Sequence, residues 1–192
     1  MNAMWQLWEN RFCQSTCKQI ISLASLLPEH EAIVGNTDVD SKTDTQVRRS
    51  KIRWLDGRMP DFKDLYLDMV DMFMEANRRA FGVELWHLHE MQFTKYDAAD
   101  QGFYNWHNDV LWDSPNCAHR KLSMVIQLSD PSEYEDGNLE IHPLHSGSPD
   151  PTILRKQGNV IIFPSFLMHR VTPVTKGTRY SLVAWIEGPK WR

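Results

Sequence analysis

The second half of the chain is a succession of short segments rich in β-branched and aromatic residues, separated by turn residues. No helical pattern interrupts them between residues 85 and 185. Strands that follow one another without helical crossovers pair antiparallel, so the pattern predicts a β-sandwich or a jelly roll rather than a βαβ fold. The predicted strands are 85–96, 102–108, 121–128, 138–142, 159–163, 169–173 and 179–185.

Helical patterns are confined to the N-terminal part of the chain. Apolar residues recur at helical spacing over 11–27 and over 62–80, and a short strand is predicted over 51–55. We expect both helices to pack against one sheet, which makes an α+β fold. The 192 residues are predicted to form a single domain, with a helical support over about 1–82 and a β core over about 83–188.

Charge and cysteine usage restrict the class of protein. The formal net charge of −4 argues against binding nucleic acid mainly through phosphate contacts, because that mode needs a surplus of Lys and Arg. No apolar run is long enough to cross a bilayer, and the N-terminus lacks a signal-peptide pattern. Cys13, Cys17 and Cys117 form no CxxC array, and we expect them to be small buried residues in a reducing compartment. The sequence therefore predicts a cytoplasmic protein without a membrane segment, and it leaves the oligomeric state open.

One of the eight histidines stands two residues before an acid. His107 and Asp109 lie at the end of a predicted strand, where positions i and i+2 point to the same side, so the imidazole and the carboxylate converge. A His-x-Asp pair also arises by chance, and a hydrogen-bonded surface pair is the alternative interpretation. A metal site requires a third ligand.

His169 is a candidate for that ligand, because it follows the apolar strand 159–163 and a turn. A satisfied interior histidine is the alternative. Two histidines and one carboxylate from separate strands form the facial triad that suits non-haem Fe(II), and this triad leaves coordination positions open for a co-substrate and dioxygen. Catalytic zinc sites more often use His-rich or Cys-containing sets with a single open position. The ligand types therefore favour iron.

Arg179 begins the last predicted strand, ten residues after His169. Strand alternation places Arg179, Ser181, Val183 and Trp185 on one face. A guanidinium inside a barrel is expensive to bury without a partner, whereas a planar carboxylate accepts two parallel hydrogen bonds from it. Arg179, with the Ser181 hydroxyl beside it, is therefore suited to the distal carboxylate of 2-oxoglutarate.

Taken in order, these motifs resemble those of the Fe(II)/2-oxoglutarate-dependent dioxygenases, and among them the prolyl 4-hydroxylase-like branch with its small bacterial and phage members. The resemblance covers roughly 85–188. It rests on Tyr96, Gly102-x-Tyr104-x-x-His107-x-Asp109, the strand 121–128, Asp136-Gly137-Asn138-Leu139-Glu140-Ile141, His169 and Arg179. It implies a double-stranded β-helix (jelly-roll) core with N-terminal supporting helices.

The resemblance also implies the roles of individual residues. They are His107, Asp109 and His169 as ligands of Fe(II), and Arg179, Tyr96, Ser181 and Gln127 around 2-oxoglutarate, with O2 as the second co-substrate. Tyr104, Trp112 and Trp185 are expected to line the substrate pocket. Collagen-modifying prolyl hydroxylases carry Lys at the position of Arg179, whereas the oxygen-sensing branch carries Arg there. That branch also has a Tyr where this chain has Gln127.

Other histidines and a basic cluster lie outside this pattern. His87 and His89 alternate on a predicted strand, but no carboxylate-rich motif accompanies them in the sequence, so we expect a structural role. His119 follows the His-x-Asp pair and could reach the substrate. The basic residues near the predicted short strand are Arg48, Arg49, Lys51, Arg53 and Arg58. They could hold an acidic peptide or a nucleic-acid backbone, or protect a solvated edge strand.

The sequence thus predicts a dioxygenase that hydroxylates a C–H bond, and the resemblance implies a prolyl residue in a peptide or protein as its substrate. A nucleic-acid demethylase of the same superfamily is the first alternative. The negative net charge and Trp185, at the position of a second Arg in such demethylases, count against it. The second alternative is a non-catalytic jelly-roll module that binds a metal or a sugar, in which Arg179 would face solvent.

Overall fold

Two antiparallel sheets and a pair of N-terminal helices make up the described part of the chain. The computed structural model describes residues 4–32, 44–113, 115, 117–142 and 147–192. In chain order, the elements are β1 (Gln6–Trp8), α1 (Gln14–Ser25), β2 (His30–Glu31), β3 (Arg48–Arg49), β4 (Lys51–Leu55), α2 (Pro60–Ala76), β5 (Leu88–Asp97), β6 (Phe103–His107), β7 (Ala118–Gln127), β8 (Tyr134–Asp136), β9 (Leu139–Ile141), α3 (Pro151–Leu154), β10 (Val160–Pro164), β11 (His169–Val171) and β12 (Val174–Pro189). A π-helical turn, Asn77–Phe81, extends α2.

The order of the strands confirms the predicted antiparallel architecture. The larger sheet runs β1-β10-β7-β12-β5-β4-β2, with β8 also pairing with β12, and the smaller sheet runs β3-β6-β11-β9. Each predicted strand corresponds to an observed one, and β12 continues beyond both predicted ends of 179–185. Sequence analysis missed β1, whose residues pair antiparallel with β10 and extend the larger sheet within the predicted helical support.

The helices pack on one face of the larger sheet, as predicted. Pro60 occupies the first turn of α2, where a missing backbone N–H is tolerated. The apolar side of α2 includes Met69 and Phe73, both fully buried, and they belong to the same core cluster as Phe93 of β5 and Leu182 of β12. Both helices and the sheet therefore share one core.

A second core cluster lies between the two sheets. It joins Val125 and Phe163 of the larger sheet to Ile141 and Val171 of the smaller one. Along β12 the side chains alternate between the two clusters, because strand residues point to opposite faces in turn. Leu182, Ala184 and Ile186 pack toward the helices, so the intervening positions face the space between the sheets.

The cysteines differ in part from the prediction. Cys17 is buried, whereas Cys13 and Cys117 are exposed, and all three are free thiols. Cys13 lies at the N-cap of α1, just outside the apolar face of the helix, so helical spacing alone overstated its burial. Within the described residues, no helix is long and apolar enough to span a membrane.

Candidate active site

Three predicted ligands meet at the edge of the space between the sheets. His107 ends β6 and His169 begins β11, and the two residues face each other across the antiparallel pair. Asp109 follows β6 and lies between them. Its Oδ1 is 3.7 Å from Nε2 of His107, and its Oδ2 is 3.5 Å from Nε2 of His169. The structure therefore brings His169 to the His107–Asp109 pair, although it lies 60 positions after Asp109 in the sequence.

Both histidines are oriented by the backbone. Nδ1 of His107 lies 2.8 Å from the carbonyl oxygen of Asn105, and Nδ1 of His169 lies 2.9 Å from that of Leu167. A carbonyl oxygen only accepts, so each Nδ1 carries the proton and donates it. The lone pairs on both Nε2 atoms are therefore left facing Asp109, in the tautomer and orientation that metal-binding histidines adopt.

Asp109 is held in place by two serines that sequence analysis missed. Ser123 Oγ donates a hydrogen bond of 2.6 Å to Asp109 Oδ2 and lies 2.9 Å from Ser165 Oγ. The backbone N–H of Asp109 donates to the Ser165 carbonyl at 2.8 Å. Both serines are fully buried. Ser123 could have been noticed as a polar residue inside an apolar strand, whereas nothing in the sequence links Ser165 to Asp109.

The charge states follow from burial and proximity. Burial and the neighbouring His169 lower the pKa of His107, so its imidazole is neutral. Burial alone would raise the pKa of Asp109, but His169, His107 and Arg120 lower it below its usual range, so the carboxylate is ionised. The neutral His107 imidazole and the ionised Asp109 carboxylate are in the deprotonated states that a bound metal requires of its ligands.

Tyr104 packs directly against this cluster. Its ring is stacked on His107, with the ring centroids 3.4 Å apart and the planes inclined by 13°. The Arg48 guanidinium also lies over the Tyr104 ring, 4.5 Å from its centroid, and donates to Gln92 Oε1 at 2.8 Å. The predicted pocket position of Tyr104 is thus beside a candidate metal ligand.

The basic cluster near β4 is not the open patch that the sequence suggested. Arg48 is buried and bonded to Ser50 and Gln92, and so it is neither a solvated edge residue nor a free cation. Its neighbours bind nearby acids: Lys51 pairs with Glu31, Arg53 with Glu29, and Arg58 with Asp56. Arg49 donates to the Thr45 carbonyl. Three of the five basic side chains thus form ion pairs with acids of the same chain.

Arg179 lies inside the same space as the triad. It is 2% exposed, and its cross-strand neighbour is Tyr96, whose ring centroid is 5.5 Å from the Arg179 Cζ. Arg179 Nη1 donates a long hydrogen bond of 3.5 Å to Ser181 Oγ. No carboxylate of the described residues forms an ion pair with it. A binding module with a solvent-facing Arg179 does not fit this arrangement.

Gln127 completes the group around Arg179. It is buried, pairs across the sheet with Ser181, and donates from Nε2 to the Tyr134 hydroxyl at 3.0 Å. Its Oε1 has no hydrogen-bond partner among the described residues. Gln127, Arg179 and Val125 line a small cavity between the sheets. Sequence analysis grouped Gln127 with Arg179 and Ser181 but did not find the contact of Gln127 with Tyr134.

The aromatic residues expected at the substrate pocket have different surroundings. Trp185 is buried and pairs across the sheet with Ser123, so it lies next to the Asp109 anchor. Arg120 lies over its ring at 3.9 Å from the centroid. Trp112 is half exposed and contacts the His119 ring edge-on. His119 itself is buried and accepts the backbone N–H of Trp191 at 3.2 Å, so it packs under the C-terminal segment.

A comparison with known families gives a match to the second half of the chain. The model of the 2OG-Fe(II) oxygenase superfamily matches residues 91–187, about half of the chain. The chain belongs to the 2OG-Fe(II) oxygenase superfamily. The matched stretch begins within β5 and ends within β12, and it contains the triad, Tyr96, Gln127 and Arg179.

Individual relatives agree with this assignment. A PKHD-type hydroxylase of Synechococcus sp. (strain CC9311) is 37% identical over 100 residues, which is 52% of this chain and 42% of that relative. The match thus spans less than half the length of that relative. A prolyl-4-hydroxylase from Pseudomonas putida is 19% identical but covers 98% of this chain and 94% of its own, with a TM-score of 0.72.

A prolyl hydroxylase from Trichoplax adhaerens, solved with a hypoxia inducible factor peptide fragment, is similarly close in fold. It is 18% identical, covers 95% of this chain and 82% of its own, and has a TM-score of 0.71. These likenesses show that the chain has the double-stranded β-helix of prolyl hydroxylases.

The residues of this 2OG-Fe(II) oxygenase fit the groups that give the superfamily its name. Two imidazole Nε2 atoms and a carboxylate converge, which is the donor set of the non-haem Fe(II) oxygenases. The buried Arg179, without an ion-pair partner among the described residues, fits an anionic co-substrate, because a buried guanidinium is expensive unless a carboxylate accepts from it.

Proposed function

We propose that this protein is a Fe(II)- and 2-oxoglutarate-dependent dioxygenase that hydroxylates a prolyl residue in a peptide or protein. The observation that carries the proposal is the convergence of His107, Asp109 and His169, with both Nδ1 protons held by backbone carbonyls. In the overall reaction, O2 is divided between the substrate, which becomes hydroxylated, and 2-oxoglutarate, which becomes succinate and CO2. Fe(II), when bound, supplies the redox chemistry of both half-reactions.

The chain supplies ligands in fixed positions. His107 and His169 would offer their Nε2 lone pairs, and Asp109 would offer a carboxylate oxygen. The Ser123 hydrogen bond restricts the rotation of Asp109, and the stacked Tyr104 restricts that of the His107 ring. Ligands held in this way would bind Fe(II) through three protein donors and would leave room for the two co-substrates.

Arg179 would bind the distal carboxylate of 2-oxoglutarate. Its guanidinium offers two parallel N–H donors, and the Ser181 hydroxyl beside it can donate to the same carboxylate. Tyr96 packs against the guanidinium, and Gln127 lies across the sheet from Ser181. The apolar side chains around them exclude water, which strengthens the interaction between the two charges.

A prolyl substrate would enter beside Tyr104 and Trp185, with the more exposed Trp112 farther out. Trp185 has a buried indole N–H without a partner among the described residues, and this donor could bind a peptide carbonyl. A peptide agrees better than a nucleic acid with the net charge of −4 and with the internal pairing of the basic cluster. We further propose that the helical support and the jelly roll act as one catalytic domain.

The first experiment is anaerobic reconstitution with Fe(II) and 2-oxoglutarate. The wild-type protein should develop the weak visible charge-transfer band of a chelated 2-oxo acid. His107→Ala and His169→Ala should lose the band, while His30→Ala, which removes an exposed histidine on β2, should retain it. Absence of the band in the wild type, or its persistence in both triad variants, would reject the site.

The second experiment identifies the substrate. Release of succinate in the presence of O2 should be stimulated by proline-containing peptides and accompanied by a mass increase of one oxygen atom on the peptide. Methylated oligonucleotides serve as the comparison. Equal stimulation by those oligonucleotides, or stimulation by peptides in which every proline is replaced by alanine, would remove the prolyl assignment.

A further inference from the structure

A second cluster of metal-binding side chains lies in the larger sheet, where β5 begins and β12 ends. Among the described residues, two groups bring three ligand atoms within 4.8 Å of one another, and one of them is the triad. The other consists of His87, His89 and Glu187. Sequence analysis assigned no site here because Glu187 is almost a hundred positions away.

The two groups have closely similar spacing. Oε2 of Glu187 is 3.6 Å from Nε2 of His87 and 3.8 Å from Nδ1 of His89. The corresponding nitrogen-to-oxygen separations in the triad are 3.7 and 3.5 Å. In a tetrahedral Zn2+ site with bonds of about 2.0 Å, neighbouring ligand atoms are about 3.3 Å apart. Small side-chain rotations would bring the second group to that distance.

Backbone hydrogen bonds hold two of the three ligands together. The Trp86 N–H donates to the Glu187 carbonyl at 2.7 Å, and the Glu187 N–H donates to the His87 carbonyl at 3.0 Å. His87 and Glu187 are therefore locked side by side as in an antiparallel ladder. Their side chains therefore leave the backbone at neighbouring points.

A β-bulge positions the third ligand. Across β5 and β12, Trp185 pairs with Glu90, but the next residue, Ile186, pairs with Leu88. His89 is therefore the extra residue of the bulge. Leu88 and Met91, three positions apart, both belong to the helix-side core, so the side-chain alternation is interrupted between them. Bulges commonly redirect side chains in this way, and here the result is that His89 lies beside Glu187.

Glu90 lies near the second nitrogen of His89, at a separation longer than a hydrogen bond. Nε2 of His89 is 3.7 Å from Glu90 Oε1, while its Nδ1 faces Glu187. Such a carboxylate commonly accepts the N–H of a ligating histidine and fixes its tautomer. Glu90 is itself fixed by Arg120, which donates to its Oε2 at 2.8 Å. Glu90 and Glu187 outnumber the single Arg120 among these acidic and basic side chains, and this excess of acid favours a cation.

We propose that His87 Nε2, His89 Nδ1 and the Glu187 carboxylate form a second metal site, which takes a borderline divalent transition ion of the Zn2+ type. Two imidazoles select against Mg2+ and Ca2+, which prefer oxygen ligands. The histidines are about half exposed and Glu187 is 18% exposed in its side chain, so water can complete the coordination. The site would tie the segment before β5 to the end of β12, and it does not depend on the proposed enzymatic function.

The stoichiometry of Zn2+ binding tests this proposal on the whole chain. Equilibrium dialysis of the metal-free protein at pH 7.5 should give two bound Zn2+ per chain, one at the triad and one at the second cluster. The variant His87→Gln/His89→Gln should bind one, and His169→Gln should also bind one. The control His30→Gln should bind two, because His30 lies on the edge strand β2.

Nitrogen NMR of the histidine rings identifies the atoms and provides a readout that does not depend on catalysis. In His169→Gln, one equivalent of Zn2+ should shift Nε2 of His87 and Nδ1 of His89 and leave His30 unchanged. If His87→Gln/His89→Gln still binds two Zn2+, or if these two nitrogens do not shift, the second site does not exist. If the triad binds no Zn2+, the wild-type protein should bind one Zn2+ and His169→Gln should still bind that one. The two proposals therefore fail separately.

Discussion

Ser123 Oγ donates a 2.6 Å hydrogen bond to the Oδ2 of Asp109, and both groups are buried. Ser123 belongs to β7 of the larger sheet, whereas Asp109 follows β6 of the smaller one. The hydrogen bond therefore ties the two sheets together at the proposed metal ligand. The same hydrogen bond sets the orientation of the carboxylate. Oδ2 is bound to Ser123, so Oδ1 faces His107.

Ser123→Ala should weaken metal binding without unfolding the protein. Removal of a hydrogen bond that orients a ligand typically costs 10–100-fold in metal affinity, and we expect a loss of about that size. Competition with a chromophoric chelator measures the affinity. Ser129→Ala is the control, because Ser129 is equally buried but bonds to the backbone of Thr178 and Tyr180. Equal losses in both variants would show that the effect is structural.

Arg179 variants should affect the co-substrate rather than the metal. Arg179→Gln removes the charge and should raise the KM for 2-oxoglutarate by about 10–100-fold, since hydrogen bonds to charged groups contribute about 1.5–3 kcal/mol. Arg179→Lys keeps the charge but loses the pair of parallel N–H donors. Its KM should therefore lie between the values of the wild type and of Arg179→Gln. Succinate formation at varied 2-oxoglutarate gives these values. An unchanged KM in Arg179→Gln would exclude Arg179 from the co-substrate site.

Much of this site could be predicted from the sequence, because strand alternation is a local property. The parity of β12 alone places Arg179 and Ser181 on the face opposite Leu182, and His-x-Asp spacing makes His107 and Asp109 converge. The contacts of Ser165 and Arg48 could not be predicted, because they depend on tertiary packing between segments far apart in the sequence. The approach of His89 to Glu187 additionally depends on a bulge that changes the register, and no local pattern in the sequence reveals one.

Gly137 is a further position where the backbone supports Arg179. It has a φ of +59°, and an added Cβ would lie 2.7 Å from Val174 Cγ2 and 3.2 Å from Arg179 Cδ. Gly137→Ala should therefore lower the Tm and also raise the KM for 2-oxoglutarate by displacing the guanidinium. The left-handed backbone itself costs about 1–2 kcal/mol for a residue with a side chain.

Gly82→Ala separates these two effects. Gly82 has a φ of +62°, but nothing lies within 4 Å of the position that its Cβ would occupy. Thermal unfolding should therefore show a loss of stability from the backbone strain in both variants, whereas only Gly137→Ala should change the KM. A raised KM in Gly82→Ala would mean that general destabilisation, and not contact with Arg179, is responsible.

Cys13, at the N-cap of α1, should be alkylated faster than Cys17 within the helix. Hydrogen bonds from Ser15 and Thr16 lower the pKa of the Cys13 thiol to about 7, whereas burial raises the pKa of Cys17 to about 11. Because the thiolate is the reactive form, the rate of Cys13 modification by iodoacetamide should rise with a midpoint near pH 7, while Cys17 should remain unmodified in the folded protein. Peptide mass spectrometry measures both rates.

The double variant Ser15→Ala/Thr16→Ala tests the cause of this reactivity. Without the two hydroxyl donors, the thiolate of Cys13 loses the hydrogen bonds that stabilise it, so the midpoint should move up toward about 8.5, the value of an ordinary thiol. At pH 7 the rate should then fall several-fold, although Cys13 remains exposed. A midpoint that stays near pH 7 in the double variant would assign the lowered pKa to the N-terminus of α1 rather than to its hydroxyl side chains, because the positive end of a helix also stabilises a thiolate.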